Sequence, residues 1–511
     1  MASASRSEAS PPLNRPLLTS PHYGHPETGP ECEQIWIMGM GSRGDAQPLV
    51  ALAMGLKRAN IDVLVLCNED HAAFVQAQGV AFESIYDSYK LWSSDPEYEE
   101  AMAKGDTAKV LRYVGKFSEA NLGKWVVKLD EMLRVRKPRL LLYTYGVMCL
   151  AAMAAIRHGV NVLPTNLQVY MTPNADAPPA GMPRLPCKLN GCWARYVLPL
   201  VIWNLIAKRE GKIIERTLGP GTNPYDTLGF NDFKMEMRVD PEVKHPYLIG
   251  MSPLVRKYYP TTGLPRQMLV TGSWIIASKS QVGASDFGGK ETMNQLERFL
   301  AKGPAVYIGW GSMLCQSDSF MSAMAVGAVK HARVRAIILA GSRSGGLSLE
   351  ALKEDAAAIE KGLVAYAEEH VLFVRAAPHE WLFPQCSCIV HHGGAGTTAA
   401  SLRSGSPTIV TPIFGDQPEN GAWVSSLGLF GDRPLRELSA EELGEMIIRA
   451  TTDAGIKAKA EAIRAEMIQE DGVGAAVKFL KEHLELVRKD PLAPAARGLH
   501  MSGKSVKSGK S

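Results

Sequence analysis

The chain has 511 residues, of which 46% are hydrophobic and 21% charged, and its formal net charge is +4. This length exceeds what one hydrophobic core normally supports, so two or more domains are expected. So small a net charge gives no indication of a general nucleic-acid or membrane-surface role.

The apolar segments and the cysteines indicate where the protein is located. The longest apolar run, Tyr196–Ala207, is interrupted by Pro199 and Asn204 and is too short to cross a bilayer. The N-terminus lacks the apolar segment of a secretory signal. Eight cysteines show no zinc-like pairing. We therefore predict a reduced, cytoplasmic protein.

Apolar strands alternate with helical segments twice along the chain. The first series has strands at 35–40, 61–67 and 80–85, and the second has strands at 305–309, 335–339, 371–374 and 408–411. Helical patterns separate most of them, the first beginning near Pro48. This alternation predicts βαβ units around parallel sheets. The simplest architecture is an α/β fold with two doubly wound Rossmann-like domains that face each other across a cleft.

Composition sets the predicted boundaries of these units. A Ser- and Pro-rich disordered arm covers 1–30, and a disordered basic tail covers 491–511. Between them we predict an N-terminal domain at 31–250, a proline-rich linker at 251–272, a C-terminal domain at 273–470 and a helix at 471–490.

The first strand leads into Gly39–Gly44, a literal G-x-G-x-x-G that could bind a dinucleotide. An NAD-dependent oxidoreductase is therefore one alternative. Asp45 argues against it, because a carboxylate at the helix N-terminus would repel a pyrophosphate. Two roles remain open for Asp45: a general base that accepts a hydroxyl proton, or a helix cap. The surrounding motifs favour the base.

The segment Ile389–Gly421 contains a second strand, glycine turn and helix, and it carries more polar groups. The turn and helix N-terminus aim backbone N–H groups at a phosphate, and His392 can add a side-chain donor. We interpret His391 as a structural histidine at the strand end. Asp416 and Gln417 follow the next strand and suit a ligand with many hydroxyls. Phosphate at one end and polyol at the other indicates a nucleotide-sugar.

This segment resembles the donor-binding signature of the UDP-dependent glycosyltransferases (glycosyltransferase family 1), in particular the sterol 3-beta-glucosyltransferase-like branch. Further motifs of the resemblance are GSRGDAQP (41–48), SPLV (252–255), VTGSW (270–274), VYIGWGSM (306–313) and PHEWLFP (378–384). Their order and spacing are specific together. The resemblance implies the GT-B fold, with an N-terminal domain that binds the acceptor, a C-terminal domain that binds the UDP-sugar, and a C-terminal helix that crosses back onto the first domain.

The resemblance also implies roles for particular residues. Asp45 becomes the catalytic base, His392 contacts the diphosphate, and Asp416 and Gln417 hold the sugar hydroxyls. The full donor-binding set is Gly44, Gly311, Ser312, Ala377, His379, His392, Gly394, Ala395, Gly396, Thr397, Asp416 and Gln417. No cofactor and no metal are expected, because amides, helix dipole and histidine would neutralise the UDP leaving group. The pair Glu419-Asn420 replaces the aromatic pair usual in the sterol branch.

The expected reaction is inverting transfer of glucose from UDP-glucose to a lipophilic hydroxyl, with a sterol 3-hydroxyl as the first choice and a β-glucoside as the product. A tailoring enzyme for a polyketide, terpenoid or phenolic acceptor is the nearest alternative. A non-catalytic lipid-binding protein of the same fold is another. The expected partners are a UDP-sugar, a lipophilic small molecule and, peripherally, a membrane, but not nucleic acid.

Overall fold

The computed structural model describes residues 31–169, 185–186, 189–192, 197–228, 246–258, 264, 268–341 and 346–489. The arm predicted at 1–30 and the tail predicted at 491–511 lie outside these residues. Within them the chain forms two parallel β-sheets, one of seven strands and one of five. The predicted α/β class with two Rossmann-like domains is therefore confirmed.

The first sheet has the strand order β3-β2-β1-β4-β5-β6-β7. Its strands are β1 (Glu31–Met38), β2 (Asp62–Asn68), β3 (Ala81–Tyr86), β4 (Lys137–Tyr143), β5 (Val162–Asn166), β6 (Tyr247–Ile249) and β7 (Met268–Val270). The second half of the central strand β1, Ile35–Met38, is buried on both faces, which explains its continuous apolar sequence.

The second sheet has the order β10-β9-β8-β11-β12. Its strands are β8 (Ala305–Gly309), β9 (Arg335–Leu339), β10 (Val371–Val374), β11 (Ile389–His391) and β12 (Thr408–Val410). The order of strands reverses beside β8, and β11 lies next to it. Ligands of open α/β sheets bind at the carboxyl ends of strands at such a reversal.

Helices cover both faces of the two sheets. Those of the first half are α1 (Arg43–Arg58), α2 (Ala72–Ala77), α3 (Lys90–Ser93), α4 (Pro96–Lys104), α5 (Thr107–Val135), α6 (Met148–His158), α7 (Asn190–Cys192), α8 (Leu198–Ile202), α9 (Lys208–Leu218) and α10 (Pro224–Thr227). A π-helical turn, Trp203–Ala207, joins α8 to α9.

The helices of the second half follow the same scheme. They are α11 (Ser278–Gln281), α12 (Gly289–Leu300), α13 (Asp318–Ala332), α14 (Leu349–Lys353), α15 (Ala356–Glu360), α16 (Leu363–His370), α17 (His379–Leu382), α18 (Ala395–Ser404), α19 (Gln417–Ser426), α20 (Ala440–Thr452), α21 (Ala454–Met467) and α22 (Gly472–Lys489).

Two boundaries differ from the sequence-based expectation. Helix α1 begins at Arg43 and not near Pro48, because Ser42 and Asp45 form a capping box that starts the helix five residues earlier. The segment 251–272, expected to be a linker, contains β7, which pairs with β6 at the edge of the first sheet. The chain therefore leaves the first sheet only after Val270.

The C-terminal helix α22 returns to the first domain, as expected. Its apolar face, which includes Ala476, Leu480 and Leu484, is buried in the same core as residues of β1 and α1. The approach to α1 is close, because a Cβ atom on Gly55 would lie 2.2 Å from a methyl group of Val473. This packing ties the second half of the chain to the first.

Helix α4 makes a second link between the halves. The carbonyl of Ala103 accepts a hydrogen bond from the Gln316 amide (3.1 Å), and that of Lys104 accepts one from the Arg436 guanidinium (3.0 Å). Apolar side chains from both domains pack beneath these bonds, among them Met102 and Leu314. Helix α4 thus bridges the two domains.

None of the described helices combines the length and the apolar character that crossing a bilayer requires.

Candidate active-site cleft

One wall of the cleft is formed by the loop between β1 and α1, where Asp45 lies. The Asp45 carboxylate accepts hydrogen bonds from the Ser42 amide (2.8 Å) and the Ser42 hydroxyl (3.0 Å). Asn68 braces the same loop by accepting a hydrogen bond from the Gly41 amide (2.9 Å). Gly44, predicted to contact the donor, is exposed beside Asp45.

The local environment changes the acidity of Asp45. Part of its side chain remains accessible to water, yet the surrounding protein desolvates the carboxylate and raises the pKa of Asp45. The Ser42 hydrogen bonds and the nearby His71 oppose this shift. A carboxylate with a raised pKa is a stronger proton acceptor when it is ionised.

The opposite wall carries Asp416, which the structure brings near Asp45. Desolvation and the negative charge of Asp45 raise the pKa of Asp416 to about 7, against the opposing effect of a hydrogen bond from Asn420. The two acids come from separate domains and lie 371 positions apart in the sequence. Their electrostatic interaction marks the point where the two walls meet.

The glycine turn after β11 leads into α18, whose N-terminus has no side-chain cap. Gly394 is the N-cap residue, and the first amides of a helix have no partner within the helix. The amides of Ala395, Gly396 and Thr397 belong to this first turn, where they can bind an anion. Their predicted role in donor binding therefore matches the local geometry, although it remains a prediction.

The adjacent histidines His391 and His392 have different environments. His391 is fully buried; its Nδ1 accepts a hydrogen bond from the Gly393 amide (3.0 Å), and its Nε2 lies 3.1 Å from the Ser401 hydroxyl. The Ser401 hydroxyl donates to the Thr398 carbonyl, so Nε2 of His391 must carry the proton. Both ring nitrogens serve the fold.

His392 is half-buried and lies between two glycines of the donor side. A Cβ atom on Gly394 would lie 2.5 Å from Nε2 of His392, and one on Gly311 would lie 3.0 Å from its Cε1. Only glycine leaves room for the ring at both positions. Desolvation lowers the pKa of His392 to about 4, so the free protein holds a neutral imidazole at pH 7.

Gly311 and Ser312 lie on the loop after β8, on the other side of the glycine turn. Gly311 adopts φ +63°, a conformation that favours glycine. The indole N–H of Trp310 donates to the Thr411 hydroxyl (2.8 Å) and so fixes this loop against the end of β12. Ser312 is half-buried there, next to the residues that contact α4.

Ala377 and His379 lie after β10, on the side of the second sheet away from Asp416. Ala377 is buried, and His379 stacks on Phe383 with ring centres 4.4 Å apart while its Nε2 lies 3.1 Å from the Tyr307 hydroxyl. Burial, together with the positive charge of Arg43, lowers the pKa of His379 to about 4. A neutral, firmly packed ring fits a role in shaping the nucleotide end.

Asp416 and Gln417 begin α19 at the end of β12. The Gln417 side-chain oxygen accepts the amides of Ile413 and Phe414, each at 2.9 Å, so only its N–H groups could contact a sugar. Asp416 accepts a hydrogen bond from the Asn420 amide at 3.0 Å. The structure thus places Asp416 beside Gln417, but the side-chain oxygen of Gln417 is already used to bind the loop.

Asn420 is a site residue that the sequence reasoning did not assign. Its side-chain amide also donates to the Gly393 carbonyl (2.8 Å), so it connects Asp416 to the glycine turn. The four-residue spacing from Asp416, on one face of a helix, was the available signal. At the position of Asn420 the sterol-type glycosyltransferases usually have an aromatic residue, whereas here a polar side chain links Asp416 and Gly393 through hydrogen bonds.

Arg43 is the second residue that was missed. Its guanidinium lies between the rings of Phe74 and Phe287, at 4.3 and 4.6 Å from their centres. Its charge reaches His379 in the other domain. The position two residues before Asp45 was the only sequence signal. Arg43 therefore places a positive charge beside His379, across the boundary between the domains.

Metal ligands were not expected, and the described residues include no group of three or more His, Cys, Asp or Glu side chains positioned to hold a metal ion. The loop Gly39–Gly44 does not suit NAD, because the Asp45 carboxylate occupies the N-terminus of α1, where the pyrophosphate would bind. That helix end already has its negative charge.

Two family profiles match the chain. The glycosyltransferase family 28 N-terminal domain matches residues 35–161, and the erythromycin biosynthesis protein CIII-like C-terminal domain matches residues 354–481. The first match contains Asp45. The second contains the glycine turn, His392 and Asp416.

Curated relatives are similar over nearly the whole chain. A sterol 3-beta-glucosyltransferase of Saccharomyces cerevisiae is 27% identical over 93% of this chain, and one of Debaryomyces hansenii is 28% identical over 89%. A third, of Komagataella phaffii, is 26% identical over 89%. The chain spans only 37%, 27% and 35% of these proteins.

Solved structures confirm the fold. The glycosyltransferase of kitacinnamycin superposes with a TM-score of 0.57 at 17% identity, covering 89% of this chain and all of the other. The calicheamicin glycosyltransferase CalG4 also gives 0.57, at 14% identity, covering 89% of this chain and 99% of the other. SnogD of Streptomyces nogalater gives 0.53 at 19% identity, covering 88% and 99%.

Proposed function

The chain belongs to the UDP-glycosyltransferase superfamily, in its sterol-glucosyltransferase-like branch, and from that premise we propose that it transfers glucose from UDP-glucose to a sterol 3-hydroxyl with inversion. The observation that carries the proposal is the meeting of Asp45 and Asp416 across the cleft. One acid lies where an acceptor hydroxyl would enter. The other lies beside an anion-binding turn.

The proposed reaction assigns one step to each wall. Asp45 accepts the proton of the acceptor hydroxyl as its oxygen attacks the anomeric carbon. The bond from that carbon to the UDP oxygen breaks on the opposite face, so an α-linked donor gives a β-glucoside. His392 and the amides at the N-terminus of α18 stabilise the charge that grows on the departing diphosphate.

Asp416 and Asn420 would position the sugar in this scheme. An ionised Asp416 accepts hydrogen bonds from sugar hydroxyls, and Asn420 keeps it in register with the glycine turn. The Gln417 N–H groups can add a contact. Helix α4 bridges the two domains, and exclusion of water between them would limit hydrolysis of the donor.

The test is product identification. The purified protein is incubated with UDP-glucose and an equimolar mixture of sterols, phenols and polyketide alcohols, and the products are separated by mass spectrometry. We expect a steryl hexoside whose anomeric proton coupling is that of a β-linkage. Products only from phenols or polyketides would favour the tailoring alternative, for which the second profile match, named for erythromycin biosynthesis, is the specific observation.

Donor identity and metal independence are tested in the same assay. UDP-glucose is compared with UDP-galactose, and each reaction is repeated in excess EDTA. We propose that glucose is preferred and that chelation changes nothing, since amides, helix dipole and histidine suffice for the leaving group. Loss of turnover in EDTA, restored by Mg²⁺, would overturn the metal-free proposal.

We further propose that the reaction takes place in the cytoplasm, with peripheral contact to a membrane that supplies the acceptor. The six cysteines whose pairing the structure describes are free thiols, which suits a reducing compartment. Five of them are buried, at Cys67, Cys149, Cys315, Cys386 and Cys388.

A further inference from the structure

Two neighbouring helical segments of the N-terminal domain expose large apolar side chains at one end. On α5, the face that carries the buried Leu122, Val126, Leu129 and Leu133 continues at helical spacing to Leu111, which is 62% exposed. On α8 and the π-helical turn, Leu200 is 52% exposed and Ile206 45%. We call Leu111, Val197, Leu200, Val201 and Ile206 the apolar tip.

The orientation of the helices brings these residues to the same side of the domain. Glu119 of α5 forms an ion pair with Arg209 of α9 (2.9 Å), and farther along α5 a Cβ atom on Gly123 would lie 3.2 Å from Thr217. The two helices therefore run in the same direction. Their N-terminal ends, which carry the apolar tip, project together.

The tip adjoins a basic flank. Lys116, Lys208, Lys212 and Arg216 are exposed on the same two helices. Few acids of these helices balance them near the tip: Glu119 is paired with Arg209 and Glu210 is turned inward against Cys149, which leaves Glu215 beside four exposed basic side chains. Apolar side chains flanked by lysine and arginine are typical of surfaces that insert into an anionic lipid interface.

The charge also argues against a second copy of this chain as the occupant. In a two-fold dimer the same patch would face itself, and the basic flanks would repel each other. A lipid surface with anionic headgroups neutralises them instead. The tip belongs to the domain that binds the acceptor in the proposed function, so a bilayer held there would deliver a lipophilic acceptor to the correct half of the cleft.

We propose that the apolar tip and its basic flank dock on an anionic lipid bilayer, so that the acceptor is taken from the membrane surface. The inference rests on the proposed lipophilic acceptor. Docking itself can be measured without any turnover, which separates the two.

The first experiment is sedimentation with vesicles. Wild-type protein is mixed with phosphatidylcholine vesicles containing about one-third phosphatidylserine, and with pure phosphatidylcholine vesicles. The double substitution Leu200→Glu/Val201→Glu should reduce binding to the anionic vesicles at least tenfold. The matched control is Ile359→Glu/Ile468→Glu, two residues of the C-terminal domain that are similarly exposed (53% and 45%), and it should bind like wild type.

The basic flank has its own variant. Lys208→Glu/Lys212→Glu should abolish the preference for phosphatidylserine, and wild-type binding should weaken steeply with salt. Light scattering is run on each variant. If Leu200→Glu/Val201→Glu binds vesicles like wild type, or if its only effect is to convert a dimer into a monomer, the docking surface is refuted.

A measurement on the unaltered protein guards against misfolded variants. Hydrogen exchange of peptides covering 197–216 should slow when anionic vesicles are added, while peptides covering α13 should not change. Turnover of a detergent-dispersed sterol should be unaffected by the tip substitutions. If vesicle binding persists but no sterol is glucosylated, the docking surface holds and the proposed acceptor fails.

Discussion

The two strand–turn–helix units of the cleft share one architecture and have opposite electrostatics. After β1, the N-terminus of α1 is occupied by the protein's own Asp45 carboxylate. After β11, the N-terminus of α18 has glycine at the cap position and no side-chain acceptor. The first helix end is already neutralised, whereas the second still offers its amides and positive dipole to an anion.

This difference shows why a glycine-rich loop alone does not identify a ligand. Gly39–Gly44 matches the dinucleotide fingerprint in its letters, but the next residue fills the anion position. The glycine turn at 393–396 matches no such fingerprint, yet it leaves the position open. One carboxylate decides which helix end can receive phosphate.

The largest expected effect comes from Asp45. The structure gives this residue a capping role as well as a proposed catalytic one, and two variants separate them. Asp45→Asn should lower kcat by about 100- to 10,000-fold, because the hydroxyl loses its proton acceptor. UDP affinity, measured by calorimetry, should change little.

Ser42→Ala is the matched control for the cap. It removes the Ser42 hydroxyl from the Asp45 hydrogen bonds and should cost about 1 kcal/mol of stability while activity largely persists. If Asp45→Asn and Ser42→Ala lose similar stability and both keep near-normal turnover, Asp45 is only a cap.

The open helix end is tested through His392. His392→Ala should weaken UDP binding about 10- to 100-fold, because a hydrogen bond to a charged group is worth about 1.5–3 kcal/mol. Its neighbour provides the control. His391→Asn keeps an acceptor for the Gly393 amide but loses Ser401, so it should lower stability by about 1–3 kcal/mol and leave UDP affinity within about twofold.

If the roles assigned to His391 and His392 are wrong, their variants should give the opposite results. Unchanged UDP affinity in His392→Ala would remove this histidine from the diphosphate site. A His391→Asn variant that folds normally and binds UDP poorly would place the anion contact on the buried ring instead.

Much of the fold could be predicted because strands β8, β9 and β10 are short apolar runs between clear helical patterns, and their bounds agree with the structure. The sequence also predicted the glycine turn after one strand and Asp416 after the next. The early start of α1 was missed because Pro48 was taken as the first-turn proline, whereas the Ser42–Asp45 capping box sets the start. The strand β7 was missed because three residues among prolines give little periodicity.

The parts of the site that could not be predicted depend on contacts distant in sequence. Nothing near Arg43 indicates that Phe287 would pack on its guanidinium, or that its charge would reach His379. The coupling of Asp45 to Asp416 likewise exists only after two domains meet. A local sequence pattern cannot predict a side-chain role that depends on a contact between the two domains.

A smaller effect should report on the coupling between the two acids. Because desolvation and Asp45 raise the pKa of Asp416 to about 7, this carboxyl is protonated below that pH and ionised above it. UDP-glucose affinity should therefore rise a few-fold between about pH 6 and pH 8, as ionised Asp416 becomes a stronger acceptor for sugar hydroxyls.

Asp45→Asn removes the charge that helps to raise the pKa of Asp416. In this variant the midpoint of the UDP-glucose affinity profile should move to lower pH, while Asp416→Asn should show no such rise. The measurement is calorimetric titration at several pH values. An identical profile in wild type and Asp45→Asn would mean that the two walls are electrostatically independent.

The smallest expected signal is a fraction of a proton taken up at the open helix end. Desolvation lowers the pKa of His392 to about 4, and a bound diphosphate should raise it toward the ordinary value near 6.5 by favouring the charged ring. Binding at a pH of about 5.5 should therefore take up protons, and binding at pH 8 should not involve this group.

UDP-glucose is the suitable ligand, because the terminal phosphate of UDP titrates in the same range. The uptake is measured as the difference in binding heat between two buffers of different ionisation enthalpy, and His392→Gln serves to subtract the contribution of Asp416. Equal proton uptake in wild type and His392→Gln would show that the diphosphate does not sense this histidine, and the contrast between the two helix ends would then rest on the backbone amides alone.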